Sequence, residues 1–395
     1  MTTADTDWKP LARAMVDQLR DGGHLSHPGW RAAFRDVPRH LFAPEVIELG
    51  DAGYRTLTAA DGAAWLARVY SDVSLVTQHR PHHAGYTLPD GSPVQVPTSS
   101  STMPSLMASM IEALDIRPGH RVLEIGTGTG YNAAILAHQL GADHVVTIDI
   151  DPDLTAAAAA RLDQLGHRGI TVVTGDGTAG APEHGPYDRI IATAAVPEIP
   201  LAWVEQLAVG GSILANLRGD ITGEMCLLDR HGTAPEVVGS FLHIGGNFMW
   251  VRPEVDDPHR PHEIPHRTPP TASRIVTAEE GLGALVDHRG YRFMLQLQCP
   301  GLRLAACDST TGVVTLAASD GSRAEATPDP DDPELLHVEQ HGPRRLWDTA
   351  AVTYDLWYFL QQPDPDAFDI VVNRTTQIVT FDHEHTGCQW PLPLV

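Results

Sequence analysis

One stretch restricts the fold of this chain more than any other: Val122-Leu123-Glu124-Ile125-Gly126-Thr127-Gly128-Thr129-Gly130. An apolar run of strand length leads into three alternating glycines, and Asn132–Leu140 then reads as a helix. Glycine tolerates positive φ and lets the backbone approach a ligand closely. A strand, a glycine turn and a helix in that order place a ligand site at the carboxyl edge of a parallel sheet. The residues that follow repeat the alternation. Val145–Ile148 is a strand, Asp153–Leu165 an alanine-rich helix, Thr171–Val173 a strand, and Tyr187–Thr193 and Ser212–Asn216 are two more strands. Strands joined by helices through short connections predict an α/β, Rossmann-like parallel sheet covered on both faces.

The glycine spacing and its neighbours suggest what binds there. A Gly-x-Gly-x-Gly turn preceded by an acid, Glu124, favours S-adenosylmethionine over a dinucleotide. This cofactor has no pyrophosphate to seat at the helix N-terminus, and its amino-acid end is cationic. At the end of the next strand Asp149 can accept hydrogen bonds from both ribose hydroxyls, or it can cap the following helix. One strand further, Asp176 within Gly175-Asp176-Gly177 can reach an adenine amino group, or it is an ordinary Asp-Gly turn. Gly126, Thr127, Gly128 and Gly130 of the loop, Ile150 beside Asp149, Gly177 and Thr193 complete the expected cofactor wall.

At 395 residues the chain is too long for one compact core. Residues 1–101 are expected to be an N-terminal helical, substrate-side segment, since Leu11, Met15, Val16, Leu19 and then Trp30, Phe34, Val37 recur at helical spacing. Residues 102–253, opening with the apolar helix Met103–Leu114, form the cofactor domain. A Pro/His/Asp-rich linker spans 254–270. Residues 271–395 read as a C-terminal α+β domain with a possible role in peptide recognition. Its expected strands are Arg292–Gln298 and Val313–Ala317, followed by a helix Arg344–Gln361 and a hairpin, Asp369–Val372 with Gln377–Phe381. The aromatic content of that helix also fits a role as the domain's own core.

A formal net charge of −23 argues against nucleic acid. No apolar run is long enough to span a bilayer, no secretion signal is evident at the N-terminus, and the four cysteines are scattered, so a cytoplasmic location is expected. Histidines at 79, 82 and 83 and at 259, 262 and 266 have ligand-like spacing, but intervening prolines break any helix, and no metal is expected. The first cluster is expected to line the substrate channel.

Several ordered pieces carry a resemblance. They are Phe34-Arg35-Asp36-Val37-Pro38-Arg39-His40-Leu41-Phe42-Ala43-Pro44, the glycine loop, Gly175-Asp176-Gly177, the run from Tyr187 to Pro200 with its Ala194-Ala195-Val196-Pro197-Glu198-Ile199-Pro200 ending, and Gln206-Leu207-Ala208-Val209-Gly210-Gly211. From about Trp30 to about Pro253 the chain resembles protein-L-isoaspartate O-methyltransferases. The resemblance implies S-adenosylmethionine as cofactor and, as partner, a peptide or protein bearing Asp or isoaspartate. The family's Ile-Ser-x-Pro-(His or Tyr)-Met signature aligns with Ser99–Leu106, so Thr102 replaces the serine beside the transferred methyl and Ser105 replaces the His or Tyr. Ser101 and Thr102 are therefore the expected catalytic hydroxyls, although Ser99–Thr102 also suits a helix cap. These departures and the long tail, which the repair enzymes are expected to lack, resemble the branch associated with ribosomally made peptides of lanthipeptide and ATP-grasp type. That branch esterifies a normal aspartate, and the ester collapses to a succinimide and can open to isoaspartate. Repair of isoaspartate is the alternative, and a non-catalytic peptide-binding protein of the same fold a second one.

Overall fold

The computed structural model describes residues 7–50, 53–82, 86–87, 91–252, 270–277, 285, 288–308, 310–332, 334–383 and 386–393. Residues 254–269 of the linker expected at 254–270, with His259, His262 and His266, and His83 of the first cluster lie outside these residues.

Among the described residues the backbone forms three sheets. The central one contains the expected strands: β5 (Val122–Ile125), β6 (Val145–Asp149), β7 (Thr171–Thr174), β8 (Tyr187–Val196) and β9 (Leu207–Arg218). Strands β7, β6, β5, β8 and β9 lie side by side and parallel. The chain order reverses between β5 and β8, the place where open α/β sheets bind ligands. Antiparallel β10 (Gly223–Asp229) and β11 (Val237–Gly245) extend the sheet beyond β9.

Alternate residues of the strands face two different cores, as a pleated strand requires. Val122, Ile191, Leu214 and Met225 pack with helices Lys9–Asp21, Pro28–Asp36, Pro104–Ala113 and Tyr131–Leu140. Leu123, Ile190, Ile213 and Cys226 instead pack with side chains from the C-terminal region, including Phe293, Leu295, Trp347 and Trp357. The helix Pro28–Asp36 begins where His27 accepts the Gly29 N–H and Pro28 presets φ, and it buries Trp30, Ala33 and Phe34.

The N-terminal segment is only partly helical. Residues 45–101 build a four-stranded antiparallel sheet in the order β2 (Gly53–Thr58), β1 (Glu45–Gly50), β3 (Leu75–Pro81), β4 (Gln95–Ser101). Ser99–Ser101 therefore belong to a strand. The cap of helix Pro104–Ala113 is Met103, which makes no side-chain cap bond.

The C-terminal region departs from expectation twice. Arg289–Gln298 is a helix where Arg292–Gln298 was expected as a strand. Tyr291, Phe293, Met294, Leu295, Gln296 and Leu297 are all buried, so this helix has core around most of its circumference, and the alternation of Phe293, Leu295 and Leu297 with Gln296 and Gln298 also fits a strand. The region is also not separate from the cofactor sheet. A five-stranded antiparallel sheet, β12 (Ala272–Thr277), β16 (Leu335–His341), β15 (Arg323–Pro328), β14 (Val314–Ala318) and β13 (Leu302–Cys307), stands apart. The expected hairpin, β17 (Asp369–Val372) and β18 (Gln377–His383), followed by β19 (Thr386–Pro391), instead pairs onto β11 and completes a ten-stranded central sheet. The helix Leu346–Phe359 forms as expected. No helix among the described residues is long and apolar enough to cross a membrane.

Candidate active site

A cavity of about 680 Å³ opens over the carboxyl ends of the central strands. Of the expected residues, Ser101, Thr102, Glu124, Gly126, Thr127, Gly128, Asp149, Ile150, Gly177 and Thr193 all line it. Gly130 and Asp176 do not.

The glycine loop is held by a chain of buried polar groups. Thr193 donates from Oγ1 to the carbonyl oxygens of Ile125 at 3.1 Å and Gly126 at 2.9 Å. Gly126 has φ +97°, and a Cβ there would lie 2.8 Å from Thr193 Oγ1, so the position requires glycine on both counts. Gly128 N–H donates to Asp149 Oδ2 at 2.8 Å, tying the loop to the end of β6. Gly130 has φ +86° and opens helix Tyr131–Leu140, and a Cβ there would sit 3.0 Å from that of Ala158. Its role is in packing. Gly177 is anchored by Trp203, which donates to its carbonyl at 2.8 Å.

Glu124 is 1% exposed. Its oxygens accept hydrogen bonds from Asn132 Nδ2 at 2.7 Å and Thr147 Oγ1 at 2.6 Å, and Thr147 contacts the Thr127 hydroxyl at 2.7 Å. Burial pushes the Glu124 carboxyl up to about 7, while the bonds from Thr147 and Asn132 pull it back. Burial also raises Asp149, against the hydrogen bonds from Gly128 and Asp151 N–H. A buried and a half-buried carboxylate at successive strand ends give this wall an appetite for a cation and for hydroxyl donors. Asp176 plays no part in that wall. Its carboxylate accepts from Thr178 N–H at 2.9 Å and Thr178 Oγ1 at 2.8 Å, the Asp-Gly turn reading of its motif. Asp151, which lies beside Asp149, caps helix Pro152–Gln164 and pairs with Arg80 at 2.9 Å, fastening β3 to the cofactor wall.

A second wall comes from the edge strand β4, beside the glycine loop: a Cβ at Gly128 would lie 3.7 Å from Ser99 Oγ and Ser100 O. Ser101 is 3% exposed, and its Oγ is buried without a hydrogen-bond partner. A buried hydroxyl left unpaired on a cavity wall carries a desolvation cost that a ligand can relieve. Thr102 follows it, and its carbonyl accepts from Arg39 Nη2 at 3.0 Å. Arg39 is fully buried and also donates to the carbonyl oxygens of Val69, Ser71 and Val73, so one guanidinium fixes the backbone under the serine strand. Ser105 does not line the cavity, and its N–H donates to Asp72 at 2.8 Å; Leu106 and Met107 form the wall beside it. His82 lines the cavity as expected, whereas His79 packs edge-on against Tyr54.

Sequence reading overlooked the third wall, Gly245–Arg252, together with Tyr131 and Arg218. The segment returns over the sheet because Ala195 N–H donates to Met249 and Val251 N–H to Ala195, both at 2.8 Å. Buried Asn216 secures it further, donating to Gly246 O at 2.8 Å and accepting from Phe248 N–H at 3.1 Å. An asparagine inside an otherwise apolar strand was the one available signal for this wall.

Comparison with known proteins agrees with this geometry. The profile of the family Protein-L-isoaspartate(D-aspartate) O-methyltransferase (PCMT) matches residues 76–240. A protein-L-isoaspartate O-methyltransferase of Xanthobacter autotrophicus is 50% identical over 218 residues, which is 55% of this chain and 82% of that protein. One from Archaeoglobus fulgidus is 34% identical over 225 residues, 57% of this chain and 87% of its own length. A solved structure described as a protein-L-isoaspartate O-methyltransferase shares the fold with a TM-score of 0.54 at 21% identity, covering 94% of this chain and 100% of its own. Coverage that broad takes in much of the C-terminal region, so a tail of this kind does not by itself set the chain apart from proteins of that description. The chain belongs to the protein-L-isoaspartate O-methyltransferase family and is an S-adenosylmethionine-dependent carboxyl O-methyltransferase.

Proposed function

We propose that the cavity holds S-adenosylmethionine over the ends of β5, β6 and β7 and esterifies the free carboxylate of an isoaspartyl residue in a peptide or protein. The observation that carries this reading is the unpartnered hydroxyl of Ser101, buried on the cavity wall that β4 forms beside the glycine loop. Glu124 and Asp149 suit the cationic amino-acid end and the ribose hydroxyls of the cofactor, and Gly126 and Gly128 let the backbone lie against it. When bound, the cofactor supplies a methyl group on a sulfonium. A carboxylate with an ordinary pKa near ~4 is already ionised at neutral pH, so no general base is required. Ser101 and Thr102, both on the cavity wall, would orient one oxygen of the acceptor carboxylate by hydrogen bonds. Exclusion of water strengthens the attraction between carboxylate and sulfonium. The amide nitrogen of the next residue then attacks the ester carbonyl, methanol leaves with the amide proton, and a succinimide forms without help from the protein.

A second reading keeps the chemistry and changes the substrate to a normal aspartate in a constrained ribosomal peptide. It is favoured by the replacement of the family's His or Tyr by Ser105, which leaves the cavity wall to Leu106 and Met107. A peptide-recognition role for residues 271–395 belongs with either reading. Its support is that Gln296 accepts from the N–H groups of Ile221 and Thr222 at 3.2 and 2.9 Å, bracing the turn that follows the cavity-lining end of β9.

A paired methylation assay read by mass spectrometry, with a linear isoaspartyl peptide and a cyclised aspartyl peptide, tests the assignment. Methylation of the isoaspartyl peptide followed by loss of methanol is the expected result. Methylation of the cyclised peptide alone transfers the assignment to peptide maturation.

A further inference from the structure

The sheet order splits the cavity. Residues suited to the cofactor sit at the ends of β5, β6 and β7, and Arg218 sits at the end of β9, beyond β8 on the other side. Its guanidinium is partly buried and rigidly seated. Nη1 donates to Phe248 O at 2.6 Å, and Cζ lies 5.2 Å from the ring centre of Trp250. Nε is buried without a partner, and among the described residues no carboxylate forms an ion pair with Arg218. Burial lowers the pKa of the Arg218 guanidinium, and the charge of Asp220 only partly offsets this. A guanidinium partly withdrawn from water, with no ion pair to a carboxylate among the described residues, is costly until an anion arrives. The cavity's other arginine, Arg252, is engaged on the cofactor side: it donates to Thr98 O at 3.4 Å, and its charge acts on Asp149.

We infer that Arg218 is a specificity-determining side chain that binds a second carboxylate of the peptide, distinct from the one methylated. Pairing with the reacting carboxylate would work against catalysis. Negative charge vanishes as the methyl group transfers, so a salt bridge to that group stabilises the ground state more than the transition state. A carboxylate that keeps its charge throughout gains binding energy without that penalty. Such a group is either an acidic side chain near the modified residue or the terminal carboxylate of a short peptide. Arg218 offers donors in a fixed planar fork for either. In a chain of net charge −23, a local cation is also what allows an acidic peptide to approach.

This inference rests on the proposed methylation of peptides and is tested with three isoaspartyl peptides. One carries Glu beside the modified residue and an amidated end, one carries Gln with an amidated end, and one carries Gln with a free terminal carboxylate close by. The kcat/KM ratio between each anionic peptide and the neutral one is measured for the wild type, Arg218→Gln and Arg218→Lys. The wild type is expected to favour an anionic peptide by about tenfold, mostly through KM, as one charge-assisted pair provides. Arg218→Gln should bring that ratio near one, and Arg218→Lys, which keeps charge but not the fork, should retain part of it. Preference for Glu or for the free terminus names the source of the carboxylate. A wild-type ratio of one, or a ratio that survives in Arg218→Gln, overturns the inference; should that variant not fold, an undiminished ratio in Arg218→Lys does so. Calorimetric binding of the same peptides to the protein saturated with S-adenosylhomocysteine reads the same ratio without turnover. Absence of methyl transfer to all three thus counts against the isoaspartyl assignment, while the binding ratio still decides for or against Arg218.

Discussion

The two sides of the cavity are built by different means. The cofactor side is assembled from the ends of three neighbouring parallel strands, with its glycines, Glu124 and Asp149 at or just beyond those ends. The peptide side is assembled from three distant pieces: the edge strand β4 with Ser101, the end of β9 with Arg218, and the returning segment 245–251. On the first side, backbone geometry dictates the residues. On the second, side chains such as Arg39 and Asn216 hold pieces of backbone that have little regular structure of their own. A general cofactor site thus sits on rigid elements, and the surface that selects the acceptor sits where sequence can vary without disturbing the sheet.

That contrast can be broken at three points. Gly126→Val should have the largest effect, because the new side chain meets Thr193 Oγ1 and needs φ near +97°. Cofactor affinity measured by calorimetry should fall at least about a hundredfold, with the isolated methyl-transfer rate lost in proportion. Cofactor binding close to wild type would show that the loop does not touch the ligand. Ser101→Ala should act on the other side only. Losing one buried hydrogen bond to the acceptor should lower kcat/KM for peptide about tenfold and leave cofactor affinity within about twofold. A matching loss of cofactor affinity would merge the two sides into one.

The smallest effect is a pH dependence at Glu124, whose pKa is raised to about 7 by burial. The folded, unliganded protein keeps this proton from the ordinary carboxyl range up to about 7, while the unfolded chain has released it. The stability linked to the group is therefore present at low pH and declines as pH rises through that window. Cofactor binding runs the opposite way, since the ionised carboxylate attracts its cationic end. Affinity should rise about threefold between pH 6 and pH 8. Glu124→Gln should flatten both trends in melting temperature and in affinity, and an unchanged slope in that variant would assign the titration elsewhere.

The same contrast explains what was legible in the sequence. From Val122 to Asn216 the period switches cleanly between strand and helix, and the elements fall where the pattern puts them. Strand β4 was hidden because Gln-Val-Pro-Thr-Ser-Ser-Ser is polar and contains a proline, which an edge strand tolerates and a sequence pattern does not reveal. The helix Arg289–Gln298 reads as a strand because Phe293, Leu295 and Leu297 alternate with Gln296 and Gln298 over its last turns, a period of two, and buried Gln296 sits where a pattern expects solvent. In the site, the glycines and acids at strand ends announced themselves, and the motif of Asp176 fits both an adenine contact and the turn in which its carboxylate is bonded. The Gly245–Arg252 wall carries no periodicity, and its position is set by the carboxamide of Asn216 and by pairing to Ala195, contacts that exist only after the chain has folded.

The pairing of β17 with β11 also bears on how the chain is made. Read from its N-terminus, a nascent chain emerging from the ribosome has delivered every cavity residue once Arg252 is out, yet β11 still presents an open row of backbone donors and acceptors. Unpaired strand edges of that kind invite pairing with other chains. The strand that covers it, Asp369–Val372, is synthesised long afterwards. The half-made protein is thus an aggregation hazard during translation. A shortened chain ending near residue 252 would carry the same hazard permanently, with a finished cavity on an unguarded sheet.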